Sequence, residues 1–463
     1  MNLISIILAA GQGTRMCSSL PKVLHTVGGK PMLQHVVESC RSVNSSNIII
    51  VYGHGGDKVQ QTISSITHVD DLSWAEQKEQ KGTGHAVLQA EGFMDDDAVV
   101  VVAYGDVPLI KAETLKNLAD KLKHGASMVV LTTLLDDPFG YGRIIRNPEG
   151  QLESIVEEKD ATDEQRTIRE VNTGFIAAKG KDLKRWLHQI SPDNAQAEYY
   201  LTDCVSLATN EGGQVDAVIC DNPIEVQGVN NRLQQAELER AYQKEQAETL
   251  MQAGVTLIDP ARIDVRGSLS VGKDVLIDVN AVFSGDVSLG NNVQIDAGCV
   301  IHNCQIADNV TIKAHSVLES AIIGENCDVG PFARIRPETV LKANAKVGNF
   351  VEIKKSTIGK GSKVSHLSYI GDTQMGDDVN IGAGTITCNY DGANKFQTTI
   401  GNKVFVGSDT QLVAPVYVKD GTTIGAGSTI TKDTPENELT LSRSKQVTIK
   451  GWQRPVKGDN KNN

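Results

Sequence analysis

The sequence predicts two structurally different parts: a Rossmann-like α/β domain with a mostly parallel sheet at residues 1–228, and a parallel β-helix of hexapeptide repeats at residues 251–463. Three observations predict this division. Short apolar runs alternate with helical patterns in the first part, and apolar residues recur every six positions in the second. Between the two parts, residues 229–250 contain neither glycine nor proline and predict a linker helix.

The apolar runs of the first part predict strands that are buried on both faces. The runs are continuous instead of alternating, as in the central strands of parallel sheets. They are Ile4–Ala10, Ile48–Gly53, Ala98–Ala103 and Met128–Leu135. Helical patterns such as Pro31–Ser42 and Lys111–His124 lie between them. This alternation predicts βαβ units in an open sheet.

A single long helix is predicted between the two parts. Asn231–Ala253 is rich in Gln, Glu, Leu and Ala, and Gly254 provides its end. At 1.5 Å per residue its length is roughly 35 Å. An ordinary surface helix is the alternative, but the change in composition across this segment favours a connecting helix.

A period of six residues predicts the β-helix, because the 3.6-residue period of an α-helix cannot sustain it. Gly, Asn and Asp fall between the repeating apolar residues as turn formers. The first run is Leu269, Val275, Ala281, Val287, Val293 and Cys299. The second is Val329, Ile335, Leu341, Val347 and Ile353, and the third is Ile400, Val406, Leu412, Val418, Ile424 and Ile430. The interruption Thr385–Thr399 is predicted to be a protruding loop.

Charge and cysteine content exclude several classes of protein. A net charge of −12 argues against a general nucleic-acid binder, although local basic clusters can still bind anions. The eight cysteines form no C-x-x-C pair, which leaves zinc and redox motifs unsupported and favours a reducing compartment. The apolar run Leu3–Ala10 is too short for a membrane helix and lacks the organisation of a signal peptide. We therefore expect a cytoplasmic protein without a membrane contact, with a disordered end to its polar tail, Gly451–Asn463.

The first predicted strand leads into a glycine-rich turn containing Gly11 and Gly13. Such a turn can present backbone N–H groups to phosphates. It is not a dinucleotide fingerprint, because Met16 replaces the third glycine, and no Gly-Lys-Ser/Thr follows as in a P-loop. Lys22 could neutralise a phosphate as a point charge. A purely structural turn and a surface lysine remain the alternatives.

Asp106 follows another buried strand in the segment Tyr104–Leu109. Open α/β sheets bind ligands at the carboxyl ends of their strands. A carboxylate there suits Mg²⁺ that bridges substrate phosphates. A turn aspartate without a ligand is the alternative.

Basic residues and one histidine mark the second part. Arg334–Arg336 and Lys354-Lys355 should lie on stacked coils, and Lys395 lies near the predicted loop. They could form a cradle for a sugar phosphate or could be solvated charges at coil corners. His366 lies close in sequence to these residues, and imidazole is suited to accepting a proton at neutral pH. A structural histidine remains the alternative.

Several motifs of the first part, in this order, resemble the sugar-nucleotide pyrophosphorylase family. They are Leu8–Arg15, Lys22, Gln77 with Gly82-Thr83, Tyr104–Asp106, Gly140–Arg143, Glu157, Asn172–Gly174 and Gly228–Asn231. Together with the hexapeptide half, residues 1–455 resemble the family of bacterial bifunctional enzymes that join an N-acetylglucosamine-1-phosphate uridyltransferase to a glucosamine-1-phosphate acetyltransferase. Asn380–Thr385 and Asn389–Gly392 are the most distinctive segments of the second half.

The resemblance implies a role for each matching residue of the first half. The residues implied to hold the uridine nucleotide are Leu8, Ala9, Ala10, Gly11, Lys22, Gln77, Gly82, Thr83, Tyr104, Gly105 and Asp106. Asp106 and Asn230 are implied to bind Mg²⁺, and Arg15 and Lys22 to offset charge on the triphosphate. The amino-sugar residues are implied to be Gly142, Glu157, Asn172 and Asn230. Gln12 replaces a lysine that is frequent in the family, which removes one phosphate contact.

In the second half the resemblance implies acetyl transfer from acetyl-coenzyme A, with His366 as general base. The sugar-phosphate residues are implied to be Arg336, Lys354, Tyr369, Asn380 and Lys395. The residues implied to contact acetyl-coenzyme A are Ala383, Asn389, Tyr390, Ser408, Ala426 and Arg443, and Asn389 and Tyr390 could instead contact the acceptor. The resemblance also implies a left-handed β-helix, a homotrimer and an acetyl site between subunits.

The implied bifunctional enzyme uses UTP, N-acetylglucosamine-1-phosphate, glucosamine-1-phosphate and acetyl-coenzyme A, with Mg²⁺, to make UDP-N-acetylglucosamine for peptidoglycan and lipopolysaccharide precursors. One alternative is a nucleotidyltransferase whose β-helix serves only assembly or allosteric regulation, against which His366, Asn380, Lys395 and Arg443 argue. Another is a non-enzymatic sugar-nucleotide-binding subunit, against which the paired Asp106 and Asn230 argue.

Overall fold

The computed structural model describes residues 2–53, 55–455 and 457. The chain forms two compact units: Met1–Glu248 with Val265–Gly267, and Thr249–Asp264 with Ser268–Asn463. Most of the last residues of the tail, for which a disordered end is predicted, lie outside the described part. Within that part, no helix is both long enough and apolar enough to cross a membrane.

The first unit contains a mixed sheet that is mostly parallel. Its strands, with a separate short pair at β2 and β3, are β1 Leu3–Ala9, β2 Thr26–Val27, β3 Lys30–Pro31, β4 Asn47–Tyr52, β5 Leu72–Glu76, β6 Val99–Tyr104, β7 Met128–Leu134, β8 Arg143–Arg146, β9 Leu152–Val156, β10 Glu170–Lys179 and β11 Val215–Cys220. The strand order is β11-β7-β10-β6-β1-β4-β5. Along this path only β10 runs antiparallel to its neighbours, and β8 with β9 forms a hairpin beside it. The four strands predicted from apolar runs are thus confirmed.

Helices cover both faces of this sheet, which explains why its strands are apolar throughout. The α-helices are α1 Met32–Ser42, α2 Gly56–Ile66, α3 Thr83–Leu88, α4 Ala112–Lys123, α5 Gly180–Leu187, α6 Asp203–Asn210 and α7 Arg232–Gln252. Short 3₁₀ helices are Thr14–Met16, Lys22–Leu24, Glu91–Phe93, Gln165–Thr167 and Pro223–Val226. In β1, Ile6 packs into the core on one face of the sheet and Ile7 into the core on the other. Helix α7 confirms the long predicted helix.

The second unit is a parallel β-helix whose strands lie in three stacks, with neighbouring strands parallel. The first stack is Thr256–Leu257, Leu276–Ile277, Gln294–Ile295, Thr311–Ile312, Asp328–Val329, Lys346–Asn349, Lys363–His366, Asn380–Ile381, Phe405–Val406, Thr423–Ile424 and Leu439–Thr440. The second is Ile263–Val271, Ala281–Leu289, Val300–His302, Val317–Glu319, Arg334–Ile335, Glu352–Lys354, Tyr369–Gly371, Ile386–Cys388, Gln411–Val413 and Thr429–Ile430. The third is Gln305–Ile306, Ala321–Ile323, Thr339–Leu341, Thr357–Ile358, Thr373–Met375, Thr398–Ile400 and Val416–Val418. A short 3₁₀ helix, Pro260–Arg262, precedes the second stack.

The residues predicted to repeat every six positions are the buried ones, with one exception. Val275, Ile335 and Ile424, one from each run, are 0% exposed. Leu269 is only half-buried. It lies in the first strand of its stack, which has a neighbouring coil on one side only, so part of its side chain stays uncovered.

The predicted loop Thr385–Thr399 is shorter than expected. Ile386–Cys388 and Thr398–Ile400 are strands of the β-helix, and Thr385, Thr387 and Thr398 are buried. Because threonine is polar, the sequence pattern assigns these residues to a loop, although the β-branched side chain of threonine is compatible with a strand. Residues 389–397 are the segment that remains between these two strands.

Candidate active sites

An open cavity of about 820 Å³ lies at the carboxyl ends of β1, β4 and β5. Adjacent parallel strands end at the same edge of the sheet, so the loops that follow them face one space. The glycine-rich loop forms one wall through Gly11, Gln12 and Gly13, and Gln77 forms part of another. The Nε2 of Gln80 donates a hydrogen bond to the carbonyl oxygen of Ala10. The predicted nucleotide contacts Gly11 and Gln77 therefore line one cavity.

Gly13 allows a lysine to approach the loop closely. Its φ is +62°, in the left-handed region, and an added Cβ would lie 2.7 Å from Cβ of Lys22. Glycine tolerates this backbone conformation and leaves room for the neighbouring side chain. The requirement for glycine here is thus imposed by both conformation and space.

The predicted catalytic and metal-binding residues of the first unit meet in one cluster. The Lys22 ammonium forms an ion pair with Asp106 and lies 3.3 Å from Oδ1 of Asn230. Arg15 Nη2 donates to the same Asn230 oxygen at 3.0 Å. The backbone N–H of Val229 donates to the carbonyl oxygen of Asp106 at 2.9 Å, which holds the two segments together.

The donor atoms of this cluster are compatible with Mg²⁺. The Asp106 carboxylate and the Asn230 amide oxygen both lie within reach of one cation, the Lys22 ammonium. Both are hard oxygen donors, and Mg²⁺ is commonly held by one or two carboxylates together with substrate phosphates and water. In the described residues no group of three or more His, Cys, Asp or Glu side chains is placed to bind a metal. A protein-only metal cage is therefore absent from that part of the chain.

Three predicted sugar residues lie together beside β8 and β10. A Cβ on Gly142 would stand 3.4 Å from both carboxylate oxygens of Glu157, and the Asn172 N–H donates to the Gly142 carbonyl at 2.8 Å. Thr202 Oγ1 donates to Glu157 Oε1 at 3.1 Å. Burial, with added repulsion from the Asp203 and Asp160 carboxylates, raises the pKa of Glu157 above its ordinary value.

Other predicted nucleotide residues are buried or hydrogen-bonded to neighbouring segments. The side chains of Leu8, Ala9 and Ala10 are more than 90% buried, which leaves mainly backbone groups for a ligand. The Gly105 N–H donates to the Leu8 carbonyl at 2.9 Å. Thr83 Oγ1 accepts a hydrogen bond from the Leu201 N–H at 3.1 Å, which joins these two segments and leaves the hydroxyl proton to donate.

Two further predicted residues of this half, Gly82 and Tyr104, pack closely against other segments. Gly82 has φ +105°, and a Cβ there would lie 2.6 Å from the Tyr199 carbonyl oxygen. Tyr104 is the last residue of β6, and burial raises the pKa of its hydroxyl. Its ring lies close to Gly174, where a Cβ would come within 2.5 Å of the ring.

In the second unit, His366 ends a strand of the first stack and its side chain is exposed. Its Nδ1 lies 3.0 Å from Oδ1 of Asn349, the residue at the same register position one coil earlier. An amide oxygen can only accept, so Nδ1 carries a proton, and in the neutral ring the lone pair is then on Nε2. His366 is therefore held in the tautomer that a general base requires.

Predicted sugar-phosphate residues gather on adjacent coils of the second stack. Arg336 Nη1 pairs with Glu352 Oε1 at 2.7 Å, and Glu352 stands in register with Tyr369. This ion pair raises the pKa of the Arg336 guanidinium. Lys354 lies on the same strand as Glu352. This strand is on the coil that follows Arg336, and the backbone N–H of Arg336 donates to the carbonyl of Ile353 on that strand.

Asn380 and the loop at residues 389–397 contribute the other predicted polar groups. Asn380 stands in register with Lys363, on the coil after His366 and in the same stack. Within the loop, Tyr390 and Lys395 form an antiparallel bridge, and Tyr390 is 60% exposed. Asn389 is buried, with Nδ2 bonded to a carboxylate oxygen of Asp372. Its side chain thus anchors the loop.

Four of the six predicted acetyl-coenzyme A residues form a column along successive coils. The Asp409 N–H donates to the Ala383 carbonyl at 2.7 Å, and the Gly427 N–H donates to the Ser408 carbonyl at 2.8 Å. Arg443 Nη1 then donates to the Ala426 carbonyl at 2.9 Å. These contacts place the four predicted residues, Ala383, Ser408, Ala426 and Arg443, on one corner of the β-helix.

Two side chains of this region were not identified from the sequence. Asn349 is hydrogen-bonded to His366, and Glu352 to Arg336. In the sequence, Asn349 and Glu352 look like ordinary polar residues between apolar repeats. The available signal is coil length. A spacing of 17 residues separates Asn349 from His366, which is one turn of the β-helix.

Three family models match segments of the chain. Residues 5–166 match the MobA-like NTP transferase domain. Residues 265–344 match the GMPPB C-terminal domain, and residues 397–432 match six repeats of the bacterial transferase hexapeptide.

One curated relative extends this similarity to 98% of the chain. The curated "Bifunctional protein GlmU" of Marinobacter nauticus is 56% identical over 452 residues, which cover 98% of each chain. A UDP-glucose pyrophosphorylase solved with UDP-glucose is 19% identical, covers 53% of this chain and 100% of its own, and has a TM-score of 0.44. A putative glucose-1-phosphate thymidylyltransferase from Bacillus anthracis, solved with a sucrose, is 21% identical, covers 51% of this chain and 94% of its own, and has a TM-score of 0.41.

Proposed function

The chain belongs to the GlmU family of bifunctional proteins, and from this premise we propose how its two sites divide two transfer reactions. The first unit, with its nucleotidyltransferase domain, transfers UMP from UTP to N-acetylglucosamine-1-phosphate. The second unit, with its hexapeptide transferase repeats, transfers acetyl from acetyl-coenzyme A to glucosamine-1-phosphate. The product of the acetyl reaction is the sugar substrate of the uridylyl reaction. We assign residues 1–228 and 251–463 to the two activities, joined by a linker at 229–250.

The observation that supports uridylyl transfer is the meeting of Arg15, Lys22, Asp106 and Asn230 beside the glycine-rich cavity. The phosphate oxygen of the sugar-1-phosphate attacks the α-phosphorus of UTP, and the bond to the bridging oxygen breaks as pyrophosphate leaves. This oxygen is already anionic, so no strong base is required. Arg15 and Lys22 neutralise charge on the triphosphate and align it.

Mg²⁺ held by Asp106 and Asn230 would neutralise charge on the phosphate oxygens. Lys22, whose ammonium pairs with Asp106 and lies 3.3 Å from Oδ1 of Asn230, would contact the triphosphate beside that ion. Gly142, Glu157 and Asn172 hold the sugar, whose hydroxyl and amide groups match their backbone and side-chain polar groups. Glutamine at position 12 offers an uncharged amide in the loop, so Lys22 and Arg15 supply the positive charge there.

For acetyl transfer, His366 removes a proton from the glucosamine amine through Nε2 as the nitrogen attacks the thioester carbonyl. The tetrahedral intermediate collapses with loss of the coenzyme A thiolate, which takes up a proton. Arg336, Lys354, Tyr369, Asn380 and Lys395 hold the sugar phosphate. The column Ala383, Ser408, Ala426 and Arg443 receives acetyl-coenzyme A, and Tyr390 reaches the site from its loop.

A homotrimer, a left-handed β-helix and a cytoplasmic location complete the proposal. If each acetyl site is shared by two subunits, acetyl transfer requires the oligomer. Dilution or an interface variant that yields monomers should then abolish acetyl transfer, with uridylyl transfer retained.

The decisive experiment mixes the purified full chain with glucosamine-1-phosphate, acetyl-coenzyme A, UTP and Mg²⁺ and assays UDP-N-acetylglucosamine. Omitting acetyl-coenzyme A should stop the coupled reaction, and supplying N-acetylglucosamine-1-phosphate should restore it. Formation of the nucleotide sugar from N-acetylglucosamine-1-phosphate without any acetyl transfer would instead support a nucleotidyltransferase with a structural β-helix.

A further inference from the structure

Two acceptors hold the side-chain amide of Gln77. Its Nε2 lies 3.1 Å from the carbonyl oxygen of Gly82 and 3.1 Å from Nδ1 of His85. A carbonyl oxygen cannot donate, so the end of the amide facing Gly82 must be the NH₂ group. The second proton of that nitrogen then points to His85, whose Nδ1 accepts it.

The surroundings of His85 favour the neutral ring that this contact needs. Burial, reinforced by the positive charge of Lys81, lowers the pKa of His85, while Glu79 acts in the opposite direction. The ring packs against Tyr199, with 6.3 Å between ring centroids. On its other edge, Gln89 Nε2 donates to the His85 carbonyl at 2.9 Å. With Nδ1 accepting from Gln77, the ring Nε2 carries the proton and makes no hydrogen bond with Gln89 Nε2, which lies 3.4 Å away.

With both Nε2 protons engaged, the Gln77 amide has its oxygen left for a ligand. Gln77 is 4% exposed and lines the 820 Å³ cavity. Within residues 2–53 and 55–455, the hydrogen bonds of its side chain are those made by Nε2. The Oε1 atom of Gln77 is therefore a hydrogen-bond acceptor of defined orientation for a ligand in the cavity.

We propose that His85 is a positioning residue that fixes the Gln77 oxygen toward the nucleobase and so selects a base with a ring N–H. This inference rests on the proposed use of UTP. Uracil has an N–H at ring position 3, which can donate to Gln77 Oε1. Cytosine has an unprotonated nitrogen there, so two acceptors would face each other.

The selectivity requires that the side-chain amide of Gln77 cannot rotate by about 180°. Rotation by about 180° would present NH₂ to cytosine, but it would also place the amide oxygen against the Gly82 carbonyl and the His85 lone pair. Sites built around a required N–H donor reject analogues that lack it, in favourable cases by about 10⁴-fold, because buried polar groups are left unpaired. Removing the His85 acceptor leaves Gly82 alone to resist rotation.

The test compares kcat/KM for UTP and CTP, with N-acetylglucosamine-1-phosphate as the common acceptor, in two variants of the full chain. His85→Leu removes the acceptor and should lower the UTP:CTP ratio by about tenfold or more. His85→Asn places a carboxamide oxygen near the position of Nδ1 and should keep the ratio within about twofold of the wild type. Tyr199→Phe, which retains the ring beside His85, is the matched control and should also keep it.

A wild-type ratio in His85→Leu overturns the inference, and so does an equal fall in His85→Leu and His85→Asn, which would indicate packing alone. His85→Phe, which keeps an aromatic ring without an acceptor, replaces His85→Leu if that variant does not fold. Acetyl transfer by the same preparations reports whether the other unit is intact. Failure of the wild type to use UTP would reject the proposed function itself, whereas an unchanged ratio with active UTP turnover rejects only the role of His85.

Discussion

The amide oxygen of Asn349 lies 3.0 Å from Nδ1 of His366, with the two residues in register on successive coils. The β-helix thus supplies both the proposed base and the group that orients it from one stack of strands. The backbone fixes this pairing, since the Leu367 N–H also donates to the Asn349 carbonyl at 3.1 Å.

We expect Asn349→Leu to lower kcat for acetyl transfer by about ten- to a hundredfold, because the ring loses the acceptor that selects its tautomer. KM for glucosamine-1-phosphate should change little. Asn349→Asp keeps an acceptor and should retain most of the activity. Steady-state kinetics of the three proteins provide the measurement, and equal losses in both variants would contradict an orienting role.

The two proposed sites should fail independently. His366→Ala is expected to abolish acetyl transfer and leave uridylyl transfer at the wild-type rate. Asp106→Ala should reduce uridylyl transfer by about a hundredfold or more, since it removes a metal ligand and the partner of Lys22, and spare acetyl transfer. Separate assays of each half-reaction test this. Loss of both activities from either change in a folded protein would show that the assignment to two sites is wrong.

Gly13→Ala should impair uridylyl transfer through Lys22. Alanine would have to adopt the left-handed backbone conformation of Gly13, at a cost of about 1 kcal/mol, and its Cβ would stand 2.7 Å from Cβ of Lys22. Displacing the ammonium should lower kcat/KM for UTP by about tenfold or more. Gly92→Ala is the matched control, since its Cβ would meet nothing within 4 Å. Similar losses in both variants would rule out a specific effect on Lys22.

Glu157→Gln should stabilise the first unit at neutral pH and weaken sugar binding. Burial raises the pKa of Glu157, so the folded state binds its proton more tightly than the unfolded state. The resulting stability is present below the unfolded pKa and is lost as pH rises through the folded pKa. At neutral pH the uncharged amide avoids that loss, and Tm should rise by on the order of a degree or two.

The measurement is thermal unfolding of Glu157→Gln and the wild type at neutral pH and at about pH 4. The difference in Tm between the two proteins should be smaller at the lower pH. KM for N-acetylglucosamine-1-phosphate should rise in the variant. A lower Tm for the variant at neutral pH would mean that a charged carboxylate stabilises the fold.

Local sequence patterns predicted where strands and helices lie better than which segments pack against each of them. The six-residue period identified the buried rungs of the β-helix, because strand alternation and turn spacing are local properties of the chain. It was wrong at both ends of Thr385–Thr399, where buried threonines continue the strands. It was incomplete at Leu269, where burial depends on a neighbouring coil that exists on one side only.

By itself the sequence determined the division into α/β and β-helical parts, the buried faces of most strands, and the residue types available for phosphate binding and proton transfer. Tertiary structure decided which of them meet. Lys22 contacts Asp106 across 84 positions and Asn230 across 208, and Asn349 reaches His366 only because one coil takes 17 residues. Periodicity follows from backbone geometry over a few residues, whereas such contacts depend on how distant segments pack, which no local pattern encodes.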